Sequence, residues 1–164
     1  LVLVDRVLVG QDGNEMKLVS DVIGDRSVGM DFVYTTCTTV CPVISAVFGQ
    51  VQRKLGDTLG DDVVLVSVSV GPVRDTPQRL KEYAEKFGAK PGWLFLTGAK
   101  PDVDTVLKAM DLYAAKPSEH TPMASVGYEP GEVWMKMVSI SAPEEFITRI
   151  DYVKSAGERK VEAH

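Results

Sequence analysis

The sequence is poor in cysteine and histidine, with two of each in 164 residues. Two cysteines exclude the disulfide scaffold that staples small secreted domains, and their number leaves the redox compartment open. Positive charge is not in excess anywhere: 18 basic residues are spread among 23 acidic ones, for a net charge of −5. The lack of a basic stripe argues against a nucleic-acid partner. Long hydrophobic runs are missing as well, and Leu1-Val2-Leu3-Val4 is broken at once by Asp5-Arg6, so no stretch approaches the roughly 20 apolar residues of a membrane helix. The first residue is Leu1 rather than methionine, which points to an upstream piece such as a signal peptide or anchor helix. Internal repeats and low-complexity segments do not stand out. What remains is 45% hydrophobic content, enough for a real core, and one domain is expected over residues 1–164 with its core at about 11–156.

The chain is organised around Thr35-Thr36-Cys37-Thr38-Thr39-Val40-Cys41-Pro42. The run Phe32-Val33-Tyr34 before it is made of β-formers, and Ile44, Val47, Phe48, Val51 and Leu55 after it recur at helical spacing. The stretch reads as strand, short loop and helix, with Pro42 in the first helical turn, where a missing N–H costs nothing. Cys41 then falls near the N-cap and Cys37 in the loop before it. The helix dipole favours thiolates there by roughly 0.3–1 kcal/mol, which is under one pKa unit at about 1.36 kcal/mol per unit. Strong thiolate character therefore needs a metal or a cation beside it.

Around this centre, Leu1 to Val9 and Met16 to Val19 flank the turn signal Asp12-Gly13 and predict a hairpin. Ser20 to Gly29 is expected to be a loop or short helical turn, and the central helix is expected from about Pro42 to Leu59. Val63 to Val70 is nearly continuous in apolar and β-branched residues, the mark of a strand buried on both faces. Asp75-Thr76-Pro77 predicts a capped helix striped by Leu80, Tyr83, Ala84 and Phe87, which Gly88 closes. A short strand at Trp93 to Leu96 precedes a helix marked by Val103, Val106, Leu107 and Met110. Met123 to Tyr128 and Glu132 to Val138 predict a second hairpin, and Ser141 to Glu144 is a capping-box pattern opening a last helix that Gly157 is expected to end. This order predicts an α/β fold: a three-layer thioredoxin-like domain with right-handed parallel crossovers, an N-terminal hairpin and an extra strand-helix insertion. Reactive groups in such folds collect beyond the carboxyl ends of the parallel strands, where Cys37 is expected.

Three residues separate Cys37 from Cys41, one more than thiol pairs in this fold usually have. Helical positions four apart hold their Cβ atoms about 5–6 Å apart, whereas a disulfide wants about 3.5–4.5 Å. A bridge can close if the loop adjusts, and the wider spacing leaves room for a metal. His164 reads as tail, so the candidate third ligand is His120, in a polar loop just before a strand that should start beside the cysteine loop. Two thiolates and an imidazole suit Cu(I); Cu(II) could share them with an oxygen ligand, and zinc would accept them too. A blue-copper site is excluded because it needs two histidines with one cysteine. Met123 reads as core filler, and Pro122 stands where thioredoxin-like proteins often carry a cis proline.

Thr36-Cys37-Thr38-Thr39-Val40-Cys41-Pro42, Val68-Ser69-Val70 leading to Arg74-Asp75-Thr76-Pro77, Lys86-Phe87-Gly88 with Trp93 and Leu96-Thr97-Gly98, and His120 before a strand together resemble the Sco/SenC family, from about Gln11 to Val153. The resemblance implies a membrane-anchored or exported protein on the periplasmic or extracytoplasmic face that binds copper through Cys37, Cys41 and His120. It implies a role in assembling the binuclear copper centre of cytochrome c oxidase, as metallochaperone or thiol reductant. The partners implied are a client copper protein such as an oxidase subunit and a thioredoxin-like reductant. The sequence departs from the family at Gly71, where an acid is usual, at Thr38-Thr39-Val40 and at Glu119. Asp75 matches the second family acid and can equally be a helix cap.

The leading expectation is therefore a copper-binding assembly factor rather than an enzyme. The alternative is a thiol–disulfide oxidoreductase in which Cys37 attacks and Cys41 resolves. A redox or copper sensor is a third reading, and no peroxidase pattern precedes Cys37.

Overall fold

The computed structural model describes residues 5–36, 40–111 and 123–162. Strand β4 (Val63–Ser69) is buried at every position, as its unbroken apolar run requires. It lies between two parallel neighbours, β3 (Ser27–Val33) and β5 (Trp93–Thr97). The hairpin β1 (Val7–Gly10) and β2 (Glu15–Lys17) adds to the outer side of β5. A second hairpin, β6 (Met123–Tyr128) and β7 (Val133–Val138), runs antiparallel to β3. The sheet order is β2-β1-β5-β4-β3-β6-β7.

Helices cover both faces. One carries α1 (Val40–Leu55), α2 (Pro77–Lys86) and α4 (Pro143–Glu162), whose Phe48, Leu80, Phe146 and Ile150 pack on Leu65, Trp93, Phe95 and Val126. Phe48 meets Trp93 and Phe146 edge to face, with centroids 6.1 Å and 5.3 Å apart, geometry that adds about 0.5–1.5 kcal/mol per pair beyond burial. The other face carries α3 (Lys100–Ala109) and a single wide π-helical turn, Leu18–Ile23, packed on Val28, Met30, Val64 and Val66. This is the expected thioredoxin-like three-layer plan, with β5 and α3 as the extra strand and helix.

The first hairpin differs from expectation, since residues 5 and 6 are not strand and Leu18 and Val19 belong to the π-helical turn, and boundaries differ in three further places. Strand β3 begins at Ser27, inside the segment expected as loop; Gly29 belongs to it because a Cβ there would come within 3.0 Å of Leu65. Helix α1 stops at Leu55 and passes into a 3₁₀ turn, Gly56–Thr58, because Gly56 takes a φ of +55°. Helix α4 runs through Gly157 to Glu162. That glycine is buried inside the helix, where a Cβ would meet the ring of Tyr128 at 2.3 Å.

Candidate metal and dithiol site

The cysteine segment begins where β3 ends. The ladder continues one step beyond the strands, with the Val70 N–H donating to the Val33 carbonyl at 2.8 Å. Tyr34, Thr35 and Thr36 then turn toward α1. The turn is held by Asp75, a carboxylate only 1% exposed. The Thr35 N–H donates to both of its oxygens at 3.2 and 3.1 Å, and the Thr35 hydroxyl donates to Oδ1 at 2.5 Å. Ser69, the last residue of β4, donates to Oδ2 at 2.7 Å and accepts from the Gly71 N–H at 3.1 Å. A buried carboxylate is tolerable only when such donors replace its water. The helix-cap role open to Asp75 belongs instead to Thr76, whose hydroxyl accepts from the Arg79 N–H at 3.3 Å.

Cys41 lies in the first turn of α1 and is fully buried. Its carbonyl accepts from the Tyr83 hydroxyl at 3.3 Å, and Tyr83 is also bonded to the Ser45 hydroxyl at 2.7 Å. A groove of about 320 Å³ opens beside this segment, lined by Thr35, Thr36, Arg79, Glu82, Tyr83 and Lys86.

Cys37, His120, Pro122 and His164 lie outside the described residues. Among the described residues no three His, Cys, Asp or Glu side chains converge on one point. The strands that precede and follow these positions in the sequence, β3 and β6, are neighbours in the sheet. Met30 pairs with Ser125, so β6 starts at the carboxyl end of β3, the end from which the cysteine segment leaves. Met123, half-buried, opens that strand, three residues after His120. Gly71 takes the turn after β4, accepting from the N–H groups of Arg74 and Asp75.

Two residues were not singled out from sequence. Tyr83 read as part of an apolar stripe, although a buried phenol needs a hydrogen-bond partner. Asp31 was hidden inside β3. It is completely buried, Ser67 donates to its Oδ1 at 2.5 Å, and the Trp93 indole N–H donates to Ser67 at 3.0 Å. Its Oδ2 has no partner among the described residues. Burial pushes the carboxyl up to about 8, against the lowering effect of Ser67, so Asp31 is held neutral at pH 7.

A thioredoxin-like α/β protein with a Cys-x-x-x-Cys-Pro sequence following strand β3 and running into helix α1 is the class that fold and site define. The sequence profile of SCO1/SenC matches residues 6–156, and the chain belongs to the SCO1/SenC family. It is 37% identical over 89 residues to the SCO1 protein homolog of Bacillus subtilis (strain 168), a match covering 54% of this chain and 45% of that protein. The chain thus spans less than half the length of this relative. Its fold is similar to that of a SCO1/SenC family lipoprotein from Bacillus anthracis str. Ames, at a TM-score of 0.79 and 27% identity over 92% of this chain and 94% of that one. It is also similar in fold to Bradyrhizobium japonicum ScoI with copper bound, at a TM-score of 0.77 and 23% identity over 93% and 99% of the two chains.

Proposed function

We propose that this chain is a copper-binding assembly factor that carries Cu(I) on Cys37, Cys41 and His120 and hands it to a client copper protein such as an oxidase subunit. The observation that supports this reading is that the end of β3 and the start of β6 lie side by side at one end of the strands. The cysteine segment leaves the carboxyl end of β3, and β6, which follows His120, starts beside it. The donor set suits the cargo, because soft thiolates select Cu(I) and imidazole accepts it. Copper would leave by exchange of these ligands for a client's sulfurs, and an oxidised pair could not load, so reduction gates uptake. Family membership supports the oxidase as client, and the lipoprotein from Bacillus anthracis supports a membrane-anchored, extracytoplasmic location.

The reading is tested by titrating the reduced protein with Cu(I) under anaerobic conditions. One equivalent binds, and His120→Ala weakens binding at least tenfold, about 1.4 kcal/mol, while either Cys→Ser variant loses it. Failure of the wild type to take up one equivalent, or His120→Ala binding like wild type, would count decisively against copper.

Full burial of Cys41 favours a second reading alongside the first. A buried thiol suits the resolving partner in disulfide exchange, with Cys37 attacking the client disulfide and Cys41 then displacing the client. In that case Cys37→Ser abolishes exchange, whereas His120→Ala leaves it intact.

A further inference from the structure

Helix α2 presents two cations to the groove that opens beside the cysteine segment. Arg79 and Lys86 line that groove together with Thr35, Thr36, Glu82 and Tyr83, and its three charged side chains are all exposed. Positions 79, 82 and 86 are spaced three and four apart, so they share one stripe of the helix, where opposite charges ordinarily pair. Glu82 instead accepts from the Gln78 amide at 3.1 Å. Neither Arg79 nor Lys86 has a carboxylate partner among the described residues; the Lys86 ammonium lies 5.9 Å from the centre of the Phe87 ring. Lys81, elsewhere on the same helix, does reach a carboxylate, Asp12 at 3.9 Å. The groove adjoins the cysteine motif on both sides: Thr36 directly precedes Cys37 in the chain, and the Tyr83 hydroxyl donates to the Cys41 carbonyl.

We propose that this groove seats an acidic polypeptide segment of the client, holding its carboxylates against Arg79 and Lys86 so that the client's sulfur comes beside the cysteine pair. The proposal rests on the reading of Cys37 and Cys41 as the working pair. Charge complementarity selects the occupant. The chain carries a net charge of −5, yet screening limits an exposed charge to a radius of about 8 Å at physiological salt. A docking segment therefore responds to the two cations at the groove and not to the total. Helical positions seven apart lie about 10 Å apart along the axis, which suits two carboxylates on one segment better than a single small anion. Two cations are too few for a nucleic acid, whose binding rests on neutralising many phosphates.

Two fluorescein-labelled synthetic peptides test this by anisotropy. Each carries serine where the client would carry cysteine, and they differ only in having glutamates or glutamines around it. At low ionic strength the Glu peptide binds about fivefold more tightly than the Gln peptide, the worth of two exposed ion pairs of ordinary strength. The preference disappears at about 1 M salt, where the screening length shrinks to about 3 Å. Arg79→Gln/Lys86→Gln removes the preference and Glu82→Gln increases it, whereas Lys160→Gln, in the last turn of α4, leaves it unchanged. The same sequences with cysteine, activated as mixed disulfides with nitrothiobenzoate, give a second readout. A protein thiolate attacks the peptide sulfur, the S–S bond breaks and nitrothiobenzoate leaves, faster for the Glu peptide than for the Gln peptide in the wild type and equally in the double variant. Equal binding of the two peptides by the wild type, or a preference that survives in the double variant, overturns the proposal. Capture by phosphatidylglycerol vesicles, lost in the double variant and without any preference between the peptides, would assign the two cations to a lipid surface and overturn it as well. The serine peptides need no thiol, so a wild type that prefers the Glu peptide but takes up no Cu(I) would retire the copper reading and leave the groove standing. A wild type that takes up Cu(I) without that preference retires the groove alone.

Discussion

Asp31 occupies a position where burial removes an ionised carboxylate from solvent and no cation among the described residues is paired with it. Ser67 supplies one hydrogen bond and Oδ2 has none among the described residues, so the acid keeps its proton until about pH 8 instead of releasing it near 3.8. The linkage sign follows from proton counts. Between these two values the unfolded chain has released the proton and the native chain still holds it, so stability falls as pH rises, by up to about 1.4 kcal/mol per pH unit. Below this window the group has no effect on the pH dependence, and above it the loss is complete. Asp31→Asn keeps the shape without the ionisation, so its advantage over wild type in denaturant unfolding should widen steadily from pH 5 to pH 8. Parallel stability profiles for the two proteins would show that Asp31 ionises normally.

At the scale of elements, helix α4 and the β6–β7 hairpin touch backbone to backbone. A Cβ on Gly131 would lie 2.2 Å from the Cα of Gly157, and one on Gly157 would lie 2.3 Å from the Tyr128 ring. Replacing a glycine inside a helix by alanine normally gains up to about 1 kcal/mol. Here the clash reverses the sign. Gly157→Ala should lose about 1–3 kcal/mol, and Gly131→Ala should lose more, because a ring can tilt and a backbone cannot; urea unfolding of both variants checks the order. The sequence pattern showed the stripe of α4 clearly, but it ended the helix at Gly157 because glycine is the usual helix terminator. Nothing local distinguishes a glycine that stops a helix from one that lets two backbones meet. The same limit applied at β3, where Ser27, Gly29 and Asp31 interrupt the apolar pattern, and only pairing with β4 makes them strand. Asp75 shows it again: its cap reading followed from the residues beside it in the chain, and its actual partners, Thr35 and Ser69, come from two other segments.

For the molecule as a whole, the layer plan was legible because its strongest signals are long and periodic. Strand β4 is buried throughout, α1 and α4 carry clean stripes, and turn glycines such as Gly13 and Gly88 sit at positive φ as their positions suggested. The dithiol motif was legible from its own spacing. The supports of the segment around Thr35 and Cys41 were not legible, since Asp75 and Tyr83 come from a stretch about 40 residues further along the chain. A connection between strands has a practical use. The indole N–H of Trp93 on β5 bonds Ser67 on β4, which bonds Asp31 on β3, while the other tryptophan, Trp134, donates to Glu129 at 2.8 Å. Ionisation of Asp31 should therefore step the emission of Trp93 near pH 8, and the step should vanish in Asp31→Asn and in Trp93→Phe but persist in Trp134→Phe. The sheet carries its own dye, and the charge state of its most hidden acid can be followed by light with no label attached.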